Sequence, residues 1–214
     1  NIQQERSDYD SAIISFTRAA KAAQLSGQKN IEAIAYNNIG QLMEGIKDYK
    51  EAIRYTSMAL ELDREKKNSL EYAVYLLNMG NHYKSLKNAD SSMKYYNLAE
   101  KIYSTAHDSV ALIQLMYNRA FVYANTGKMF KALADLILVL DFSRRYNSTE
   151  GQIYACNALS ELMLSNGNPE KALDYANEGI ARAYSSNNYQ QLPVLYNEKS
   201  AALKAQGNYQ AAFM

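Results

Sequence analysis

The chain has 214 residues, which at roughly 150 per domain makes one large domain or an array of repeats. Its 9 glycines and 2 prolines are too few for a linker-rich chain, and 29 alanines against 23 Val, Ile and Thr combined exclude an all-β fold and point to an all-α one. With 23 basic and 22 acidic residues it has no electrostatic footprint for nucleic acid or an anionic membrane, and one cysteine, Cys156, excludes an intrachain disulfide framework.

In chain order the sequence divides into units of forty residues. Residues 1–28 read as a partial unit, 29–68, 69–108, 109–148 and 149–188 as full units, and 189–214 as a second partial unit, together one array. Small residues mark the period. Ala12, Ala52, Ser92, Ala132, Ala172 and Ala212 form one column; Gly40, Gly80, Ala120, Ser160 and Ser200 form another; Ala19, Ala59, Ala99, Val139 and Gly179 form a third.

The first partial unit places Asn1 inside a helix and reads Asp8, with Asp10, as the start of the next. In 29–68, Tyr36, Ile39, Gly40, Met43 and Ile46 lie on one helix face, and Ala52, Tyr55, Thr56, Ala59 and Leu60 on another. Asp48 with Glu51 three residues on is an N-terminal capping signature, repeated at Asn88, Asn168 and Asn208, with Lys128 breaking the column after Gly127. Pro169 suits the first position of a helix. Each full unit is therefore two antiparallel helices of about eighteen residues.

In the last unit Pro193 removes a helical hydrogen bond, so that helix should start late or kink. Met214 falls one turn into a further helix, leaving Tyr196 and Leu203 without a partner. This predicts either an array that continues past Met214 or a homodimer formed through the exposed end. Gly40 and Gly80 each cost a helix about 0.5–1 kcal/mol relative to alanine, which predicts a neighbouring helix pressed against them.

No catalytic constellation stands out. His82 and His107 are 25 residues apart with no HExxH pattern, and read as solvent-facing or capping residues rather than metal ligands. Cys156 occupies a column of large buried residues and reads as a packed, inert thiol. Arg144 and Arg145 suit a helix C-terminus. No cofactor or metal is implied. The most apolar run, Leu136 to Leu140, is five residues long against about 20 for a membrane span.

The columns resemble the tetratricopeptide-repeat family, whose pattern W-x2-L-G-x2-Y followed by A-x3-F reads here as Tyr36, Ile39, Gly40, Met43, Ala52, Thr56 and Ala59. In the next unit it reads Leu76, Met79, Gly80, Tyr83, Ser92, Tyr96 and Ala99. The resemblance implies a right-handed superhelical solenoid of antiparallel helix pairs whose first helices line a concave groove. Carried onto this sequence, the groove columns hold Asn37, Asn38 and Gln41, then Asn78 and Asn81. They continue with Tyr117, Asn118 and Phe121, then Tyr154, Asn157 and Glu161, and end at Asn197.

Asn38, Asn78 and Asn118 make a forty-residue ladder of amides that suits either a peptide backbone or hydrogen bonds within the array. Tyr117, Phe121 and Tyr154 are either apolar anchors for a partner or core residues. The positions where chaperone-type relatives place a lysine and arginine clamp are mostly neutral, so an extended neutral or mixed peptide is the expected ligand. The resemblance thus implies a non-enzymatic scaffold for a protein or peptide, the sensing or adaptor part of a bacterial signalling protein. A receptor for oligopeptide signals and a structural oligomerisation element are the alternatives. Neither nucleic acid nor membrane insertion is implied.

Overall fold

A computed structural model describes the backbone of residues 2–212 and the side chains of residues 9–212. Among the described residues there is no strand. The helices are α1 (Ile2–Leu25), α2 (Lys29–Gly45), α3 (Tyr49–Leu62), α4 (Leu70–Ser85), α5 (Ala89–Thr105) and α6 (Ser109–Asn125). They are followed by α7 (Met129–Arg145), α8 (Thr149–Ser165), α9 (Pro169–Ser185), α10 (Leu192–Ala205) and α11 (Tyr209–Ala212). The chain falls into two compact units, Asn1–Leu115 and Met116–Met214, with the boundary inside α6. In the first, α1 packs on α2, α2 on α3, α3 on α4 and α4 on α5; in the second, α7 packs on α8, α8 on α9 and α9 on α10.

The helices end on a twenty-residue rhythm. Gly27, Lys47, Lys87, His107, Gly127, Asn147, Gly167, Asn187 and Gly207 all have positive φ. The residue after each reaches back to close the last turn, as Asp48 N–H does to Met43 C=O at 2.8 Å. Lys47, Lys87 and His107 accept this although a β-carbon there costs roughly 1–2 kcal/mol. His107 is therefore an exposed turn residue, in line with its capping role. Residue 67 breaks the rhythm: α3 stops at Leu62, a 3-10 turn spans Arg64–Lys66, and Lys67 has φ −56°.

N-terminal caps follow the sequence reading. The side chains of Asp48, Asn88, Asn168 and Asn208 accept from the backbone N–H of Glu51, Ser91, Lys171 and Ala211, while Lys128 makes no such bond. Asp8 differs: α1 runs unbroken from Ile2 to Leu25, so no helix starts there. The positions read for Asn1 and Met214 lie outside the described residues. Helix α10 starts late, at Leu192, with Pro193 in its first turn.

The exposed end is only partly as expected. Tyr196 is 44% exposed, but Leu203 is 8% exposed because α11 folds back on α10, and Ser200 Oγ–H donates to Ala212 C=O at 2.9 Å.

The small-residue columns are helix crossings. A β-carbon on Gly80 would collide with the Tyr96 ring, and one on Gly40 would collide with the Thr56 hydroxyl and sit 3.1 Å from Ala52 C=O. Two columns meet here, one on each helix of a pair. Where serine occupies either, its hydroxyl bonds across: Ser92 Oγ–H donates to Gly80 C=O at 2.8 Å, and Ser160 Oγ–H to Ala172 C=O at 2.9 Å. Such close backbones leave no room for a larger side chain.

Candidate functional site

In the first unit the amides expected along the groove face one another. Asn37 on α2 and Asn78 on α4 are 4% and 8% exposed, and Asn78 Nδ2–H donates to Asn37 Oδ1 at 2.9 Å. Of the amides read as a ladder, Asn78 is buried and engaged, because α2 and α4 pack side by side, while Asn38 and, in the second unit, Asn118 are half-buried. Asn81 accepts from the Tyr96 hydroxyl at 2.7 Å, tying α4 to α5. Gln41 is exposed on α2.

Beside these amides runs a buried chain. Thr56 Oγ1 lies 3.0 Å from His82 Nε2, His82 Nδ1 lies 2.9 Å from Glu44 Oε2, and Ser85 Oγ–H donates to Glu44 Oε1 at 2.9 Å. His82 is thus not solvent-facing: it has no exposed surface, because α4 turns it inward between α2 and α3. The order hydroxyl, imidazole, carboxylate is that of a nucleophile triad. Thr56 is equally closed off, so the chain works as an internal tie. Burial alone would raise the Glu44 carboxyl, but hydrogen bonds from His82 and Ser85 and the charges of His82 and Lys84 hold it below the usual range.

The second unit differs at the equivalent positions of its repeats. The Tyr117 ring meets Phe121 edge-on with centroids 5.2 Å apart, and meets Tyr154 of α8 edge-on at 6.5 Å, geometries that favour aromatic pairs. Burial, then the neighbouring Tyr154 and Glu161, raise the Tyr117 hydroxyl above its ordinary value. Asn157 sits on the Tyr154 face of α8, and its buried Oδ1 has no donor. Next to this cluster, a cavity of about 340 Å³ opens between α6, α7 and α8; Phe121, Ala124, Leu136, Ala158, Glu161 and Leu162 are among its walls. Glu161 is exposed, and so is Asn197 on α10.

Below the face, Arg119 makes a bidentate pair with Asp135 at 2.8 and 3.0 Å, both nearly buried. Cys156 is fully buried, and burial pushes its thiol up to about 12. No cluster of three His, Cys, Asp or Glu converges among the described residues, and no helix is long and apolar enough to cross a membrane.

The tetratricopeptide-repeat family model matches residues 1–65 and 32–105. The repeats of residues 1–105 belong to the tetratricopeptide-repeat family. Among solved structures it is similar to BtubC (BKLC) from P. vanneervenii at a TM-score of 0.83 and 18% identity, covering 96% of this chain and 87% of that one. A kinesin-light-chain protein of Podosopora anserina with nearly identical TPR-like repeats gives 0.72 and 12%, covering 84% and 89%. A Rap protein complexed with competence and sporulation factor gives 0.73 and 19%; 94% of this chain matches 61% of that one. No curated protein sequence matches the chain.

As tetratricopeptide repeats, the two units allow comparison position by position. Eighty residues, two repeats, after Glu44, Thr56, His82 and Ser85 stand Ala124, Leu136, Leu162 and Ser165, all walls of the cavity. The place occupied by the polar chain in the first unit is a cavity lined mainly by apolar side chains in the second. Neither this exchange nor the Arg119–Asp135 pair was singled out from sequence. The available signal was a polar residue in a column that other repeats keep apolar: His82 against Val122 and Leu162, and Arg119 against Met79 and Leu159.

Proposed function

We propose that this tetratricopeptide-repeat chain is a non-catalytic scaffold that captures an extended peptide segment of a partner on the Tyr117–Phe121–Tyr154 face, as the sensing or adaptor part of a bacterial signalling protein. One observation carries the reading: half-buried aromatic rings grouped beside an open cavity on a groove face. Aromatic anchors dominate interface energies. By contrast, three amide hydrogen bonds contribute only about 1.5–4.5 kcal/mol, against about 8 for micromolar affinity. The paired Asn37 and Asn78 have less to offer a ligand than open amides would. Likeness to a Rap protein complexed with competence and sporulation factor supports the signalling context.

The test is titration of the purified chain with a library of unstructured peptides, followed by calorimetry on the binders. Phe121→Ala and Tyr154→Ala should each weaken binding about tenfold or more while leaving the melting temperature within a few degrees. A library that yields no binder, or binders indifferent to both substitutions, overturns the reading.

A further inference from the structure

The cavity between α6, α7 and α8 is neither uniformly apolar nor neutral. Its floor is Leu136 and Leu162, its near wall is opened by Ala124 and Ala158, and its one charged lining residue is the exposed Glu161. At about 340 Å³ it lies at the lower end of the roughly 300–1,000 Å³ typical of ligand sites. The space exists because side chains are missing from it: where the first unit places Glu44 and Asn78, the second has Ala124 and Ala158.

Its lining carries charge of one sign. No lining residue is cationic among the described residues, and Arg119 beneath the same face is already held by Asp135. Glu161 and Glu198, on adjacent first helices of the second unit, have no ion-pair partner among the described residues, and burial together with the charge of Glu161 raises the Glu198 carboxyl. The face therefore combines two carboxylates with the rings of Tyr117 and Tyr154, whose faces attract cations.

We infer that the second unit selects a peptide in which one aliphatic side chain fills this cavity and a neighbouring lysine or arginine sits against Glu161 and Tyr154. The inference rests on the peptide-capture reading above and adds the chemistry of the captured segment. An apolar side chain satisfies the leucine floor, and a cation satisfies a rim that has carboxylates and ring faces but no counter-charge. An acidic segment would meet like charge on entry.

Short fluorescein-labelled peptides, each with one leucine flanked by arginine, glutamine or glutamate, test this by anisotropy. The arginine series should bind about tenfold more tightly than the glutamine series, with the gap shrinking as salt rises. Glu161→Gln, a change on an exposed side chain, should remove most of that gap. Ala158→Leu, which fills the cavity, should weaken the arginine and glutamine series alike by about tenfold; Ala124→Leu supplies a second cavity-filling variant should the first lose its cooperative melt.

If all three series bind equally, or Glu161→Gln leaves the preference intact, the inference is overturned while peptide capture stands. If no series binds and none of the wider library does, peptide capture itself falls. Self-association by light scattering that Ala158→Leu abolishes would assign the cavity to a second copy of the chain, which also overturns the inference.

Discussion

His82 Nδ1 lies 2.9 Å from Glu44 Oε2, and this contact joins α4 to α2 through a side chain with no exposed surface. The Glu44 carboxyl is held below its ordinary value, so its contribution to stability is complete above the unfolded value near 4.3 and is lost as pH falls through the lower, folded one. Glu44→Gln should destabilise the chain by about 1–3 kcal/mol at neutral pH. In melts recorded from pH 7 down to pH 3, the gap between parent and variant should narrow at the acid end.

Gly80 faces the Tyr96 ring with no room for a β-carbon. Gly80→Ala should cost about 1–3 kcal/mol through overpacking, despite alanine's better helix propensity, and Gly80→Leu should cost more. Gly127 has positive φ and open space around it, so Gly127→Ala should cost about 1 kcal/mol through the backbone alone. Chemical denaturation of the three variants separates steric from conformational causes.

Removing one partner of the Arg119–Asp135 pair leaves a buried charge uncompensated. Arg119→Ala and Asp135→Ala should each lose about 3–5 kcal/mol, whereas Arg119→Met with Asp135→Leu should recover most of that loss. A double-mutant cycle by urea unfolding measures the coupling.

Burial and a thiol shifted to about 12 predict that Cys156 is inert in the folded chain. At neutral pH an aromatic disulfide reagent should react with it only as fast as the protein opens, and at full rate in denaturant. Prompt reaction in buffer would contradict the packing around α8.

Much of the fold was legible because the cause of the period is steric. The Gly40 and Ala52 columns are the points where two backbones nearly touch, and only small residues satisfy that in every repeat. Caps at Asp48 and Asn168 were equally legible, being local hydrogen bonds. The site was less so. Asn78 and Asn118 look alike in a column, but Asn78 meets Asn37 on the next first helix, and Asn157 follows where Tyr117 and Leu77 stand in other repeats. Lateral partners forty residues away set each side chain's fate. Leu203 was misjudged for a related reason: a single turn, α11, is enough to cover it.

The positive-φ residues that close nearly every helix at twenty-residue intervals have an evolutionary corollary. One residue added inside a helix would swing everything after it by about 100° and turn its anchoring rings away from their neighbours. Adding or removing a whole forty-residue module, by contrast, would keep every later crossing in register.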